Sequence, residues 1–550
     1  GFTPKEMPLN ARVWYPDGEG PFPLVLVVHG NHDMKDFSDP GYDYLGRLLA
    51  SRGFILASVD ENFINGGIRG ENDGRAWLLL KHLQAWEGFN RQADSPFRGR
   101  VDMTRIALMG HSRGGEAAPL AAAFNRLSRY PDDASLEFDF GFDIRGVVSI
   151  APVDGQYLPA GRRAPLRDVS YLVFHGSHDG DVTSFHGLRI WDRLRFTDGS
   201  EHFKTAIYMY RANHGQWNTV WNNHDNGPRS GRILDLRYLV PPKDQRRLAE
   251  LYISAFLEAT LHGDERWLPM FRDHRVIGHW LPKTMYVTRF LDASFRPLAT
   301  FDEDIDVTTG TEEGVRLRGD SLATWKEETL ELRSRNRSST SSSQENQAVV
   351  LGWNNRIAGE DTTRMGPPAR FVVQLPEGLA RRWELDGDAS LQLALSATQT
   401  MPGPRRPPET DSAREERSGR RGRGARRSGG KDDEKPPVDL SVEVEDAAGH
   451  TARVPLSAYG PVRRPMEIHT LRRRDQEEGM QAWEMVLQTY VIPLSDFTGG
   501  SGAGGGDGGL DLSRLAAVRL VFDQATAGEV VVDEVGFSRL DPAFWSARVR

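Results

Sequence analysis

The sequence predicts two different folds in one chain: a doubly wound, mostly parallel α/β domain over residues 1–268 and an all-β sandwich over residues 299–550. The chain has 550 residues, more than a single hydrophobic core usually supports. Its first half alternates short apolar runs with stretches of helical periodicity, which is typical of strands covered by helices on both faces. Its second half has short apolar runs separated by Gly, Asp and Ser and almost no helical periodicity, which favours an antiparallel sandwich.

The first half contains strands and helices in near-regular alternation. In chain order the predicted elements are strand 23–29, helix 42–52, strand 54–59, helix 74–86, strand 106–109, helix 115–127, strands 146–150, 171–174 and 206–210, and helix 248–261. Gly263 follows the last helix, where a left-handed C-cap is expected. Because functional sites of such sheets lie at the carboxyl ends of the strands, polar residues directly after a strand are the first candidates for a site.

A connector over residues 269–298 is expected to pack on the first domain and to lead into the β-rich part. The predicted strands of that part are 348–352, 370–375, 391–396, 438–444, 485–492, 517–522 and 530–537. Residues 402–437 hold nine Arg and two Lys against three Asp and four Glu, and no apolar side chain large enough to anchor a core, which predicts a disordered insertion. This insertion is either a solvated loop or a tether to an anionic polymer or surface. A second, glycine-rich loop is predicted at 499–509.

Ser112 stands in the motif Gly110-His-Ser-Arg-Gly114, directly after an apolar run and directly before a helical stretch. A serine hydroxyl is a weak nucleophile and must be held out of the chain beside a base to react. Small residues two positions before and after it allow the sharp strand-to-helix turn that exposes the hydroxyl at the end of the strand. The motif therefore predicts a nucleophilic serine.

A serine of this kind needs a histidine base and a carboxylate that orients the histidine, downstream in the order serine, acid, histidine. Asp179 follows the strand at 171–174, and His214 follows the strand at 206–210, so both are expected at the serine's edge of the sheet. Alternative acids are Asp181 and Asp154, and the alternative base is His224. Either type of residue alone is more often a turn former or a packing residue, and the prediction depends on their joint order and placement.

The anionic tetrahedral intermediate of acyl transfer requires two backbone N–H donors. The first is predicted to be that of Arg113, which opens the helix after the nucleophile and adds the positive end of the helix dipole. The second is expected in the loop after the first apolar strand, from Asn31, with His32 as the alternative.

Four segments of the chain together resemble the α/β-hydrolase superfamily, and the resemblance covers about residues 8–265. The segments are Val27-Val-His-Gly30, Gly110–Gly114, His175-Gly-Ser-His-Asp179 and Asn213-His-Gly215. Within it the chain is similar to dienelactone-hydrolase-like and cutinase-type polyester-hydrolase-like serine esterases. The resemblance implies an α/β-hydrolase fold, an acyl-serine intermediate and a secreted or periplasmic enzyme. Dienelactone hydrolases use a cysteine nucleophile, which this chain lacks, and the cutinase-like enzymes usually have Met where this chain has Arg113. The β-rich part resembles galactose-binding-like jelly rolls, most clearly at 518–537.

The site is expected to be open, because only about 18 residues separate the strand ending near Pro152 from the next strand, too few for a cap domain. Aromatic residues after the histidine would form one wall of a cleft. The candidate substrate-binding residues are His32, Phe63, Tyr157, Trp217 and Trp221, with Asn65 and Arg69 in the loop that forms the opposite wall. For Trp217 and Trp221, packing beneath a long loop is the competing interpretation.

No cofactor is expected, since the sequence has neither a phosphate-binding glycine loop nor the His/Cys spacing of a zinc site. Six acidic residues suggest a structural Ca²⁺ in the sandwich, the alternative being an acidic edge that discourages aggregation. They are Asp302, Glu303, Asp304, Asp306, Asp533 and Glu534.

A net charge of −8 argues against general nucleic-acid binding, and no apolar run reaches the length of a membrane helix. The start at Gly1, without Met or a signal peptide, suggests a processed or trimmed form. Three functions stay open: a serine carboxylic-ester hydrolase acting on a bulky or polymeric ester, with the sandwich docking to a polymer or stabilising the enzyme; a serine peptidase or amidase; and a carbohydrate- or surface-binding protein with a non-catalytic hydrolase-like domain.

Overall fold

A computed structural model describes residues 7–225, 230–333, 342–359, 363–406, 436–477, 480–498 and 509–546. Most of the predicted Arg-rich insertion and most of the predicted glycine-rich loop lie outside these residues. In the described part of the chain, no helix combines the length and the apolar character needed to cross a bilayer.

An eight-stranded sheet forms the centre of the N-terminal half. The strands of this half are β1 (Asn10–Trp14), β2 (Phe22–Val28), β3 (Ile55–Asp60), β4 (Val101–His111), the hairpin β5 (Arg129–Tyr130) and β6 (Asp133–Glu137), β7 (Ile144–Ile150), β8 (Ser170–Gly176), β9 (Phe203–Met209) and β10 (Tyr286–Asp292). The order across the sheet is β1-β3-β2-β4-β7-β8-β9-β10. The strands from β3 to β9 in this order run parallel, and β1 and β10 pair antiparallel at the two edges.

Helices cover both faces of this sheet, and two apolar cores lie between helices and strands. The helices are α1 (Asp43–Ser51), α2 (Asn72–Arg91), α3 (Arg113–Phe124), α4 (Gly187–Arg193), α5 (Pro242–Leu257) and α6 (Leu268–Arg272). The side chains of β2 from Leu24 to Val28 are fully buried, as the uninterrupted apolar run requires for a central strand with both faces covered. Mostly parallel strands between helices are compatible with the expected α/β-hydrolase fold.

The segment 269–298, expected to be a connector, contributes the last strand of the sheet. β10 pairs antiparallel with β9, with Tyr286 opposite Met209 and Asp292 opposite Phe203. The sequence obscured this strand because Arg289 interrupts its apolar character. Arg289 is nevertheless fully buried, since acidic side chains of the second half surround its guanidinium group.

The described residues of the C-terminal half form two large antiparallel sheets that share one apolar core, and a small two-stranded sheet, β15-β16. Its elements are β11 (Arg296–Ala299), β12 (Arg316–Asp320), β13 (Thr324–Glu331), β14 (Ser343–Asn354), β15 (Arg356–Ala358), β16 (Thr363–Met365), β17 (Ala369–Gln374), helix α7 (Leu379–Arg382), β18 (Ser390–Ala397), β19 (Ser441–Asp446), β20 (Thr451–Pro455), β21 (Gln488–Pro493), β22 (Leu515–Phe522), β23 (Ala527–Ser538) and helix α8 (Ala543–Ser546). One sheet has the order β13-β14-β23-β18-β21 with β11 beside β23, and the other has the order β12-β17-β22-β19-β20. Jelly-roll connectivity stays a prediction.

Buried charges join the two halves of the chain. Arg289 Nη2 lies 3.0 Å from Glu534 Oε1 and 3.5 Å from Asp533 Oδ2, and the indole of Trp191 donates to the same Glu534 oxygen at 3.2 Å. Two of the carboxylates suggested as Ca²⁺ ligands therefore face an arginine. Within the described ranges, no group of three His, Cys, Asp or Glu side chains is arranged to hold a metal ion.

Candidate active site

Ser112 lies on a sharp turn between β4 and α3. Its backbone has φ 60° and ψ −119°, a strained conformation for a residue with a side chain. A Cβ at Gly110 would lie 1.7 Å from the carbonyl oxygen of Gly114, and a Cβ at Gly114 would lie 2.3 Å from that of Val28. Both glycines are thus required by close backbone approach, the physical reason for the motif's spacing.

Asp179 and His214 lie together at the carboxyl ends of β8 and β9. His214 Nδ1 and Asp179 Oδ2 are 2.7 Å apart, and both residues are buried. Burial raises the pKa of Asp179, while the nearby His214 opposes this effect. Burial alone would lower the pKa of His214, but the charge and hydrogen bond of Asp179, together with the charges of Asp181 and Asp225, raise the pKa to about 9. The pair has the geometry of a carboxylate that orients an imidazole and stabilises its cation.

The alternative acids and base occupy other positions. Asp181 Oδ2 is 3.8 Å from His214 Nε2, on the opposite side of the ring from Asp179. Asp154 is bound by two arginines, with Oδ1 2.5 Å from Arg193 Nη2. His224 is exposed, and its carbonyl oxygen lies 3.4 Å from a ring nitrogen of His32. The geometry therefore favours Asp179 and His214 over each alternative.

The turn at Ser112 is directly adjacent to the histidine loop. The ring of His111 lies 5.0 Å from that of His214, and His111 Nε2 is 3.1 Å from the His214 carbonyl oxygen. A carbonyl oxygen only accepts, so Nε2 carries the proton, and Nδ1 accepts from the Tyr42 hydroxyl at 3.1 Å. Burial holds the pKa of His111 well below its usual value, in agreement with a neutral ring. Nε2 of His214 is buried, and no described residue hydrogen-bonds to it.

The loop after β2 approaches the nucleophile closely. A Cβ at Gly30 would lie 2.4 Å from Ser112 Cβ and 3.0 Å from its Oγ. His29 stabilises this loop, since its Nδ1 donates to the Gly30 carbonyl at 2.8 Å and its Nε2 accepts from the Glu61 backbone N–H at 3.1 Å. Asn31 follows Gly30 directly, and Arg113 begins α3, where the first N–H groups have no intrahelical partner. The loop that carries Asn31 thus contacts the nucleophile, and the role of the Asn31 and Arg113 N–H groups as oxyanion donors stays a prediction.

The side chain of Arg113 joins the site to the loop after β3. It forms an ion pair with Glu71 and donates to the Ile68 carbonyl at 3.0 Å. Glu71 also pairs with Arg75, a fully buried residue whose Nη2 lies 3.3 Å from Glu71 Oε1. Asn65, one of the wall candidates, accepts from the same arginine at 2.8 Å. This network fixes one side of the site, a role that no motif in the sequence indicated.

Of the predicted substrate-binding residues, Trp221, His32 and Phe63 lie in the loops around the site, whereas Trp217 and Tyr157 lie in the core. Trp221 stacks parallel to both His32 and His214, with ring centroids 5.3 and 6.0 Å apart. Trp221 is only 1% exposed, so it supports the ring of His214 more than it lines a cleft. Phe63, partly exposed, lies in a short helical turn, Asn62–Ile64, at the end of β3.

Trp217 and Tyr157 belong to the core instead of a cleft wall. Trp217 is fully buried and stacks on Phe174 at 5.8 Å, which is the packing interpretation given above. Tyr157 packs its ring edge against Phe124 beneath α3. An aromatic residue in a loop carries no sequence signal of whether it points outward or into the core, so these positions were beyond the reach of sequence analysis.

Asp225 is a functional-site residue that the sequence analysis missed. It is buried in the loop that follows His214, and its carboxylate accepts hydrogen bonds from the backbone of both the acid loop and the histidine loop. The signal available in the sequence was only an acidic residue in a polar loop, which is usually a turn former.

The N-terminal part is similar to known proteins. Residues 10–129 match the family described as PETase: PET hydrolase-like, a segment that includes Ser112 and both oxyanion candidates but ends before Asp179. Bis(hydroxyethyl) terephthalate hydrolase from Streptomyces coelicolor is 31% identical over 121 residues, 22% of this chain and 34% of that protein. Cutinase 2 from Thermobifida cellulosilytica is 28% identical over 106 residues, 19% of this chain and 36% of that protein.

A longer match is with a plant enzyme. Chlorophyllase-2 from Arabidopsis thaliana is 26% identical over 289 residues, which cover 48% of this chain and 82% of that protein. The chain thus spans about a third of the length of the two bacterial relatives and most of the plant relative. The expected resemblance to α/β-hydrolase esterases is confirmed for the N-terminal part, and the resemblance of the C-terminal half to jelly rolls stays a prediction.

Proposed function

We propose that this protein is a serine carboxylic-ester hydrolase that acts on bulky or polymeric esters through an acyl-serine intermediate. One observation carries the proposal: a buried aspartate–histidine pair, 2.7 Å apart, adjoins a strained serine turn in a segment that matches PET hydrolase-like proteins. Each group alone has a structural explanation, whereas their placement at one edge of the sheet does not.

In the proposed reaction, Ser112 Oγ attacks the ester carbonyl carbon while His214 Nε2 takes its proton. Asp179 stabilises the resulting imidazolium from the other ring nitrogen. The tetrahedral intermediate collapses as the alcohol leaves with the proton from His214, and the acyl group remains on Ser112. A water molecule, deprotonated by His214, then attacks the carbonyl carbon of the acyl-serine. The bond between this carbon and Ser112 Oγ breaks as His214 returns the proton to Oγ, and the acid product leaves.

The negative oxygen of both tetrahedral intermediates is proposed to bind the backbone N–H groups of Asn31 and Arg113. The dipole of α3, which begins at Arg113, adds to this stabilisation. The ion pair of Arg113 with Glu71 keeps its guanidinium group away from that oxygen. In enzymes, loss of one such donor lowers kcat by about 10²–10³-fold.

The substrate class is inferred from relatives named for a terephthalate ester, cutinase activity and chlorophyllase activity. Bis(hydroxyethyl) terephthalate, in the name of the first relative, is an ester of a bulky aromatic acid, and this supports the proposal of a bulky ester. We propose that the C-terminal sandwich stabilises the catalytic domain, because buried ion pairs such as Arg289–Glu534 join the two halves. Docking of a polymer by the sandwich and an exported location are further parts of the proposal and depend on the family resemblance.

Hydrolysis of a graded ester series tests the function. The series combines p-nitrophenyl esters of increasing acyl length, bis(hydroxyethyl) terephthalate, an insoluble polyester film and amides matched to the soluble esters. We expect turnover of the esters that is lost in Ser112→Ala and kept in Ser254→Ala, a control whose hydroxyl bonds only to carbonyls of its own helix. Faster cleavage of the matched amides would favour a peptidase or amidase, and no turnover of either would favour the binding-protein alternative.

A further inference from the structure

The carboxylate of Asp225 connects the two loops that carry the acid and the base. Asp225 is 5% exposed and lies eleven residues after His214, at the end of the loop that also carries Trp221. Its side chain accepts four hydrogen bonds, from Gly180 N at 2.9 Å, His214 N at 3.2 Å, Gly215 N at 2.9 Å and Asn213 Nδ2 at 2.7 Å.

One oxygen of this carboxylate bridges the catalytic pair. Oδ2 accepts both from the backbone of Gly180, the residue after the acid, and from the backbone of His214 itself. Any relative movement of the acid loop and the base loop must therefore lengthen at least one of these bonds. The distance between Asp179 and His214 is 2.7 Å, so small shifts matter for it.

The loop between the base and Asp225 is tightly packed. A Cβ at Gly215 would lie 2.4 Å from the Asn222 carbonyl oxygen, so this loop folds back directly on the residue after His214. Trp221, on the same loop, stacks on the imidazole of His214. Asp225 thus closes a loop that holds the catalytic ring from its face as well as from its backbone.

Charge is the second contribution of Asp225. Three carboxylates act on His214, those of Asp179, Asp181 and Asp225, and each raises its pKa. Two histidines that interact with it, His111 and His175, are held neutral by burial, which keeps their pKa values well below the usual range. Burial raises the pKa of Asp225 itself to about 7, the charge of Asp179 adds to this, and His214 and the donated hydrogen bonds oppose it.

We infer that Asp225 is a positioning residue of the active site, which sets the spacing of the acid and base loops and increases the basicity of His214. This inference rests on the proposed function and deepens it: Asp225 touches no substrate and acts through the backbone and the charge of the catalytic pair. A carboxylate is needed because four donors converge on it, and an amide offers one oxygen where the carboxylate offers two.

Asp225→Asn in the full chain tests the inference. We expect kcat to fall on the order of ten- to a hundredfold with KM almost unchanged, because a shift of about 1 Å in a catalytic group has effects of this size. The acidic limb of the pH profile should move to lower pH by about half a unit or more, since a negative charge near His214 is removed. The pKa of His214 is also measured directly, by NMR titration of ¹⁵N-histidine-labelled protein, which needs no substrate.

Asp168→Asn is the matched control. Asp168 is a buried carboxylate that also accepts from backbone N–H and from side-chain groups and pairs with an arginine, but at the amino end of β8. We expect it to lose stability without a change in the His214 pKa. Equal pKa values of His214 in wild type and Asp225→Asn, with a kcat no lower than that of Asp168→Asn, would overturn the inference. An inactive wild type whose His214 pKa still falls in Asp225→Asn would overturn the esterase proposal and leave the positioning role standing.

Discussion

Gly30→Ala tests how closely the oxyanion loop and the nucleophile are fitted. The added Cβ would lie 2.4 Å from Ser112 Cβ, 2.8 Å from the His111 carbonyl oxygen and 3.0 Å from Ser112 Oγ. Ordinary contacts between carbon atoms are about 3.5–4.0 Å, so the loop and the serine must separate by about 1 Å. Gly30 does not have a positive φ, so the substitution tests this contact and not the backbone conformation.

The expected cost is about 1–3 kcal/mol in unfolding free energy, the usual range for overpacking, and about a hundredfold in kcat from displacement of the catalytic groups. Gly67→Ala is the control, because nothing lies within 4 Å of its added Cβ and its φ is not positive either. Urea unfolding and steady-state hydrolysis of a short p-nitrophenyl ester measure both effects. Wild-type kcat in Gly30→Ala would refute the proposed fit of this loop against Ser112.

Three further predictions follow from the same geometry. The neighbouring carboxylates raise the pKa of His214 to about 9, and only the neutral ring is a base, so kcat/KM should increase with pH through a midpoint above 6.5. A midpoint at or below 6.5 would contradict the assignment of His214 as the base. Tyr42→Phe leaves the buried Nδ1 of His111, beside the loop of His214, without a partner, so both the unfolding free energy (by about 1–3 kcal/mol) and kcat should decrease. Tyr44→Phe removes a hydroxyl that bonds to the Trp217 carbonyl and should decrease the stability alone. Thermal melts and kinetics measure both effects, and equal kcat losses in the two variants would contradict the reasoning. Glu484 lies at the contact between the two halves, and Glu484→Ala should cost about 2–4 kcal/mol in urea unfolding because it leaves the buried donors Phe185 N and Tyr208 Oη unpaired. Glu484→Gln should cost about 1 kcal/mol because it retains an acceptor, and equal losses in the two variants would contradict this role.

The alternation of apolar runs and helical periodicity was enough to predict the α/β character of the first half, because it follows directly from burial. The serine turn was also accessible, since the close approaches at Gly110 and Gly114 require glycine at fixed spacing. The pairing of Asp179 with His214 followed from one rule, that parallel strands end at a common edge. These features are local or depend on a simple topological fact.

The rest depends on contacts between distant segments. Arg289 makes β10 look unlike a strand, and its burial is explained by distant acidic residues, namely Asp192 about a hundred positions earlier and Asp533 and Glu534 about 245 positions later. Asp225 looks like a turn residue until its four donors are seen together. Trp217 and Trp221 are four residues apart in the same loop, yet one enters the core and the other stacks on the catalytic ring. Side-chain direction in irregular segments is decided by tertiary packing, which a single sequence does not specify.

Covalent labelling with a fluorophosphonate probe, followed by peptide mass spectrometry, tests the nucleophile and its activation together. The account predicts one label per chain, located on Ser112, absent in Ser112→Ala and greatly slowed in a folded His214→Ala variant. A label on a different residue, or labelling of Ser112 at an unchanged rate without His214, would contradict it.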